Sequence, residues 1–178
     1  MLLSEFDFPF DPALVADHPV LPRDQARLLV MERASGARTH RRVGDLPFLL
    51  RPGDLVVVNN TKVMPARVPA QVRSNGKCLD LLFVQDLGHN VWEVLIKGRF
   101  RPGAMIDFPG GASGEIVERS QARTTLLVRG VTTVYDLMHA AGTMPLPPYI
   151  KRDPSPEDQG WYQTVFAQHE GAIAAPTA

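Results

Sequence analysis

Residues 67–84 read RVPAQVRSNGKCLDLLFV and carry the clearest strand pattern in the chain. Its apolar residues recur in short runs on either side of Asn75-Gly76, the residue pair favoured in the type I′ turns of β-hairpins. We therefore predict two antiparallel strands, Val68 to Arg73 and Cys78 to Val84, joined by a tight turn.

Four further strand-like runs follow this hairpin at a spacing of roughly ten residues. They are Val91 to Ile96, Ala104 to Phe108, Gly114 to Glu118 and Thr124 to Arg129. Six short strands in about 60 residues fit a small closed barrel better than an open sheet, because closure removes exposed strand edges. The glycine-rich run 110–114 lies between two of the strands, so it indicates a hairpin turn and not a nucleotide-binding loop.

The flanking segments show an α/β pattern. Leu55 to Val58 are four consecutive apolar residues, which predicts a strand buried on both faces. Val131 to Ala140 has helical spacing, and a second short helix is predicted over about 156–166. The predicted fold class is α/β plus all-β, with a six-stranded β-barrel at 67–130 inserted into a discontinuous α/β domain formed by 1–66 and 131–178.

Composition narrows the possible functions. The 178 residues carry 19 Lys and Arg against 19 Asp and Glu, so binding to nucleic acid would need a local basic patch on a neutral chain. One cysteine allows no internal disulfide, and the scattered histidines show no metal-binding spacing. No signal peptide or membrane-spanning run is visible, so we expect a cytoplasmic protein without a metal site.

Two segments carry groups suited to binding a small polar molecule. Asn59, Asn60 and Thr61 follow the predicted buried strand, and Arg67 comes shortly after them. Ligands of α/β folds tend to lie at the carboxyl ends of strands, and amides with a cation suit a base, a ribose or a carboxylate. A plain Asx turn at Asn59 is the alternative. In the second segment, Gln163 lies on a different helical face from its apolar neighbours, which makes it a candidate binding residue.

A third segment is rich in proline. GTMPLPPYIKR at 142–152 has three prolines in four positions, which favours a stiff polyproline II arm. The arm ends in Tyr149, Lys151 and Arg152, an aromatic side chain with two cations that could stack on a base and hold phosphates. A rigid linker with a solvated basic pair is the alternative.

Taken in order, these segments resemble the S-adenosylmethionine:tRNA ribosyltransferase-isomerases of queuosine biosynthesis. The resemblance covers essentially the whole chain, and its most specific part is PLPPYIKR followed by YQTVFA and GAIAAPTA. It implies an enzyme that transfers and isomerises the ribosyl group of S-adenosylmethionine. The acceptor is 7-aminomethyl-7-deazaguanine at the wobble position of tRNA, and the product is epoxyqueuosine.

The resemblance also implies partners and roles. S-adenosylmethionine is a co-substrate, no other cofactor is needed, and tRNA is the macromolecular partner. Asn59, Asn60, Thr61, Arg67 and Gln163 are expected to bind the small-molecule substrate, and Tyr149, Lys151 and Arg152 the RNA. Neither the catalytic residue nor the oligomeric state follows from the sequence.

Two departures from the family pattern qualify these expectations. Where the family usually has Asn-Asp-Thr-Arg, this chain has Asn59-Asn60-Thr61-Lys62, so an acid is replaced by an amide. The family motif also continues beyond Ala-Pro-Thr-Ala, so we expect the C-terminal part of the α/β domain to be missing and this chain by itself to be inactive. A non-catalytic RNA-binding barrel and an inactive fragment are the alternative hypotheses.

Overall fold

The structure is a computed structural model that describes residues 2–120 and 123–174. Contacts between Cα atoms divide the chain into two units. The first runs up to Val57 and also includes Pro148–Arg152, and the second comprises Val58–Pro147 with the described residues from Asp153 onward. No helix in the described part of the chain is long and apolar enough to cross a membrane.

The first unit is built around one β-hairpin. Strands β1 (Arg27–Met31) and β2 (Arg38–Arg42) pair antiparallel, and the four-residue helix α1 (Leu46–Leu49) follows. Short 3-10 turns make up most of its other regular structure: Leu3–Phe6, Pro12–Leu14, Arg23–Gln25 and Val43–Asp45. The Asp11 carboxylate accepts a hydrogen bond from the Ala13 amide at 2.9 Å and so caps the turn Pro12–Leu14.

The predicted strand Leu55 to Val58 is wrong. These residues adopt no regular secondary structure, and Leu55 is 88% exposed. An apolar run becomes a buried strand only when neighbouring strands take up its hydrogen bonds and other elements cover its faces. No described strand pairs with this segment, so its apolar side chains remain in contact with solvent.

A closed six-stranded antiparallel barrel dominates the second unit, as the sequence predicted. The short strand β3 (Thr61–Val63) precedes it, and the barrel strands follow in the spatial order β4-β5-β6-β9-β8-β7. They are β4 (Arg67–Val72), β5 (Cys78–Asp86), β6 (Val91–Ile96), β7 (Met105–Asp107), β8 (Ser113–Arg119) and β9 (Thr124–Arg129).

Alternating burial along the strands fills the barrel with side chains. Every second residue of β4 is buried, and so are Leu79, Leu81 and Phe83 at alternate positions of β5. Phe83 is the largest fully buried side chain, and its ring packs against Trp92 and Phe108 at centroid distances of 5.7 and 6.0 Å. The interior of the barrel is therefore a packed hydrophobic core.

The turn between β4 and β5 differs in type from the prediction. Gly76 has a φ of +67°, but Asn75 is not among the described residues with positive φ, which a type I′ turn requires at both positions. Instead the Asn75 and Gly76 amides both donate to the Val72 carbonyl, at 3.3 and 2.8 Å. The hairpin therefore pairs Gln71 with Cys78, and its connection is longer than a two-residue turn and contains a left-handed glycine.

Two helices and one strand complete the second unit. Helix α2 (Val134–Ala141) begins at Thr133, whose hydroxyl and backbone amide form a reciprocal capping box with Asp136. Its buried residues Val134, Leu137 and Met138 join the barrel core. Helix α3 (Asp158–Trp161) is shorter than predicted, and strand β10 (His169–Ala172) follows it. Of the motif GAIAAPTA at 171–178, the last four residues lie outside the described part of the chain.

Candidate functional site

The Asn59 side chain closes a turn. Its Oδ1 accepts a hydrogen bond from the Thr61 amide at 2.8 Å, which is the Asx turn considered as the alternative in the sequence. The Asn59 carbonyl accepts from the Thr164 hydroxyl at 2.9 Å. The Asn60 carbonyl accepts from the backbone amides of Gln168 and His169 at 2.7 and 3.1 Å. Backbone contacts therefore fix this loop against the segment that follows Gln163.

Gln163 joins the two segments most closely. Its Oε1 accepts from the Val63 amide at 2.8 Å, and its Nε2 donates to the Val63 carbonyl at 2.9 Å. The side-chain amide thus takes the place of a neighbouring strand for the buried residue Val63. Both ends of the amide are engaged with the protein backbone, so the contacts of Gln163 in this structure hold the loop in place.

Strands β3 and β10 bring three titratable groups together. They pair in parallel, with His169 opposite Thr61 and Glu170 opposite Lys62. One carboxylate oxygen of Glu170 lies 3.5 Å from Lys62 Nζ, and the other lies 3.3 Å from Nε2 of His139 on α2. A carboxylate and an imidazole side by side can accept and pass on a proton. These groups complete the candidate site formed by the 59–61 turn and Gln163.

The sequence did not single out Lys62, His139 or Glu170. His139 and Glu170 are 31 residues apart, and only the packing of α2 and the parallel register of β10 make them neighbours. The sequence did single out Asn60, Thr61 and Gln163. Hydrogen bonds join these residues to the same pair of segments.

Arg67 makes its contacts on the barrel. Its Nε lies 3.1 Å from Oδ2 of Asp80 on β5, and its backbone forms an isolated antiparallel bridge with Thr143. The Arg67 amide donates to the Thr143 carbonyl at 3.3 Å, and the Thr143 amide donates back at 2.8 Å. The structure therefore ties Arg67 to the beginning of the proline-rich segment.

The first half of the proline-rich segment is packed rather than free. Met144 and Leu146 are buried, and the Leu146 amide donates to the Met144 carbonyl at 2.9 Å, which makes a three-residue turn around Pro145. A polyproline II arm has no internal hydrogen bonds, so that prediction is wrong for residues 144–146. Burial of the two apolar side chains explains the difference.

The three residues predicted to bind RNA belong to the first unit. Tyr149 is 64% exposed and Lys151 is also exposed. The Arg152 Nε donates to the Asp17 carbonyl at 2.9 Å. A hydrogen bond from His18 lowers the pKa of the Asp17 carboxyl, and the nearby Arg152 charge acts in the same direction. An exposed aromatic ring next to two cations retains the chemistry of an RNA contact.

Comparison with known proteins gives the class to which this fold and site belong. The family model described as "Queuosine biosynthesis protein" matches residues 3–178. The chain therefore belongs to the queuosine biosynthesis protein family. This match confirms the resemblance drawn from the sequence motifs.

Individual proteins are also similar to this chain. Proteins named S-adenosylmethionine:tRNA ribosyltransferase-isomerase from Citrifermentans bemidjiense and Moorella thermoacetica are each 41% identical to this chain over its full length. The alignment covers 53% of each of them, so the chain spans about half the length of the curated relatives it matches. A solved S-adenosylmethionine tRNA ribosyltransferase from Thermotoga maritima is 28% identical over 83% of this chain and 52% of its own, with a TM-score of 0.39.

Proposed function

We propose that this protein takes part in the ribosyl transfer and isomerisation that produce epoxyqueuosine in tRNA. S-adenosylmethionine would be the ribosyl donor, and 7-aminomethyl-7-deazaguanine at the wobble position the acceptor. The observation that carries the proposal is the family match over residues 3–178, together with relatives that bear this activity in their names. A tRNA substrate implies that the protein works in the cytoplasm.

The 59–61 turn supplies groups that remain available to a small molecule. The Asn60 amide and the Thr61 hydroxyl make no side-chain hydrogen bond within the described part of the chain. An amide offers both donors and acceptors, as a ribose or the edge of a base requires. In this proposal Asn60 and Thr61 contact the donor directly, whereas Asn59 and Gln163 hold the loop that presents them.

The proposed reaction also needs a proton acceptor. The proton on the ribosyl carbon next to sulfur is acidified by the sulfonium, and its loss opens the ribose before adenine and methionine leave. Glu170, held between Lys62 and His139, is the carboxylate that the structure adds to this site. Its register opposite Lys62 supports a place for it beside the Asn60-Thr61 turn.

Binding of the two substrates tests the proposal. We expect the 178-residue chain to bind radiolabelled S-adenosylmethionine in equilibrium dialysis, and Thr61→Val to weaken this binding about tenfold through loss of one hydrogen-bonding group. Thr39→Val, on the exposed strand β2, is the matched control and should bind like the parent. A chain that binds tRNA but no S-adenosylmethionine would support the alternative of a non-catalytic RNA-binding module.

A separate variant tests the predicted RNA contact. Arg152→Ala should weaken tRNA binding and leave S-adenosylmethionine binding unchanged, and the slope of log K against log salt should fall by about one. Equal salt slopes for the parent and Arg152→Ala would remove Arg152 from the RNA contacts. Release of adenine from S-adenosylmethionine in the presence of substrate tRNA reports the chemistry itself.

A further inference from the structure

The outer surface of the barrel carries an open groove of about 1000 Å³. Among the described residues that line it, five are cationic and one, Asp80, is acidic. The cations are Arg67, Lys77, Lys97, Arg119 and Arg123. The whole chain has equal numbers of basic and acidic residues, so this groove concentrates positive charge on an otherwise balanced protein.

Contacts with the barrel hold the three arginines of the groove in place. Arg67 pairs with Asp80 at 3.1 Å and Arg123 with Glu118 at 3.1 Å. Arg119 donates to the Gly98 carbonyl at 3.2 Å and also to the Thr124 hydroxyl. Side chains fixed in this way lose little conformational freedom when they bind an anion.

The two lysines of the groove are different. Lys77 follows the β4–β5 turn and Lys97 follows β6, and both are exposed. Neither forms an ion pair or a side-chain hydrogen bond with any residue that the structure describes. Their ammonium groups are therefore available to neutralise charge on a partner without first breaking a contact.

The floor of the groove is aliphatic. Leu82 on β5 and Leu95 on β6 are opposite each other in the strand register, and Leu95 is 57% exposed. A cationic rim over an aliphatic floor suits a chain of phosphates joined by sugars, because the phosphates meet the cations while the sugars lie on the apolar surface. A single small anion would fill only a small part of the groove volume.

We propose that this groove binds the sugar-phosphate backbone of tRNA, away from the base that is modified. The proposal rests on the proposed function, from which tRNA is taken as the partner. It assigns the barrel a role that is separate from both the 59–61 turn and the Tyr149–Arg152 segment. The contacts are with phosphates, so they position the RNA and carry no sequence information.

The test is a double substitution of the lysines, Lys77→Ala/Lys97→Ala, in the 178-residue chain. Filter binding with a substrate tRNA across roughly 50 to 200 mM salt gives both the affinity and its salt dependence. We expect about tenfold or greater weakening at low salt, and a slope of log K against log salt that is shallower by about one for each lysine removed. S-adenosylmethionine binding should not change.

The control removes the same charge from the first unit. Arg38 and Arg41 are exposed residues of β2, and Arg38→Ala/Arg41→Ala should leave the salt slope at the parent value. Thermal melts of both double variants should match the parent, since all four side chains are on the surface. A parent-like slope for the lysine variant, or an equal loss in the arginine control, would overturn the groove assignment.

The outcomes separate the groove from the proposed function. If Arg152→Ala weakens tRNA binding and the double lysine variant does not, the groove assignment is wrong and the proposed function is unaffected. A lysine-dependent salt slope in a chain that binds no S-adenosylmethionine would support the groove and count against the transferase function. Binding of polyglutamate in preference to tRNA would overturn the proposal in favour of an acidic protein partner.

Discussion

At the scale of single residues, Phe83 is the centre of the barrel. Its ring is fully buried between Trp92 and Phe108, so truncation leaves a cavity that the rigid strands cannot refill. We expect Phe83→Ala to lower the free energy of unfolding by about 3–5 kcal/mol in urea denaturation. Phe48, which is 88% exposed, is the matched control, and a similar loss for Phe48→Ala would contradict this account of the core.

Gly142 is needed for a different reason, the close approach of two chain segments. A Cβ at this position would lie 1.9 Å from the Pro65 carbonyl oxygen and 2.5 Å from that of Met138. Its φ of −85° is ordinary, so the requirement comes from space and not from backbone conformation. We expect Gly142→Ala to cost at least about 1–3 kcal/mol, the usual range for overpacking.

Gly160 provides the control for this substitution. An added Cβ there meets nothing within 4 Å, and the residue lies in α3. Alanine is a better helix former than glycine, so Gly160→Ala should be neutral or slightly stabilising. Equal melting temperatures for the two variants would show that the segments at Gly142 can move apart at little cost.

At the scale of elements, Gln163 replaces a missing strand neighbour. Removal of its amide leaves the backbone groups of the buried Val63 without these partners. An unsatisfied buried polar group costs about 1–3 kcal/mol, so we expect Gln163→Leu to be destabilised by about this amount or more. The exposed Gln168, whose described bond uses only its backbone amide, gives the control Gln168→Leu. If Gln163→Leu keeps the stability of the parent but loses S-adenosylmethionine binding, the result would instead support a direct substrate contact for Gln163.

The seam between β4 and β7 closes the barrel with only two residue pairs, Gln71 with Asp107 and Val72 with Ile106. Arg73 reinforces it, since its Nε lies 3.0 and 3.1 Å from the two carboxylate oxygens of Asp107. The hydrogen bond from Arg73 lowers the pKa of Asp107. The pair therefore stabilises the fold above the ordinary aspartate pKa of about 3.9, and that contribution is lost as the pH falls through the lowered value.

A pH series of thermal melts checks this seam. At neutral pH we expect Asp107→Asn to melt below the parent. The difference should shrink as the solution is made more acidic than pH 4, because the parent carboxylate is then protonated too. A difference that stays constant from pH 7 down to about pH 2 would show that the charge of Asp107 does not strengthen the seam.

At the scale of the whole molecule, stability is distributed unevenly. The barrel and α2 share one buried core, whereas every residue of β2 is exposed and Leu55 to Val58 lie open to solvent. In native-state hydrogen exchange we expect the amides of β4, β5, β6 and β9 to be the slowest to exchange. Those of β1 and β2 should exchange orders of magnitude faster, because little apolar burial opposes their opening. Similar protection in the hairpin and the barrel would contradict this picture.

The amino-acid sequence was enough to predict the strands of the barrel. They are short apolar runs separated by turns of glycine, asparagine and proline, and four of the six pairings join strands that are neighbours in sequence, whereas the pairings of β6 with β9 and of β4 with β7 are not local. The motifs GTMPLPPYIKR and YQTVFA were likewise enough to indicate the family, which the match over residues 3–178 confirms. Candidate roles for Asn59, Asn60, Thr61, Arg67, Tyr149, Lys151, Arg152 and Gln163 remain predictions.

Contacts between residues that are far apart in sequence became known from the three-dimensional structure. The amide of Gln163 reaches Val63 across 100 residues of sequence, and Glu170 meets His139 and Lys62 through a parallel register that no local pattern encodes. Leu55 to Val58 have the composition of a buried strand but are exposed, because burial depends on which elements cover a segment and not on its own side chains. The groove cations come from separate strands and turns, and the pairings of β5 with β6 and of β6 with β9 place them on one surface.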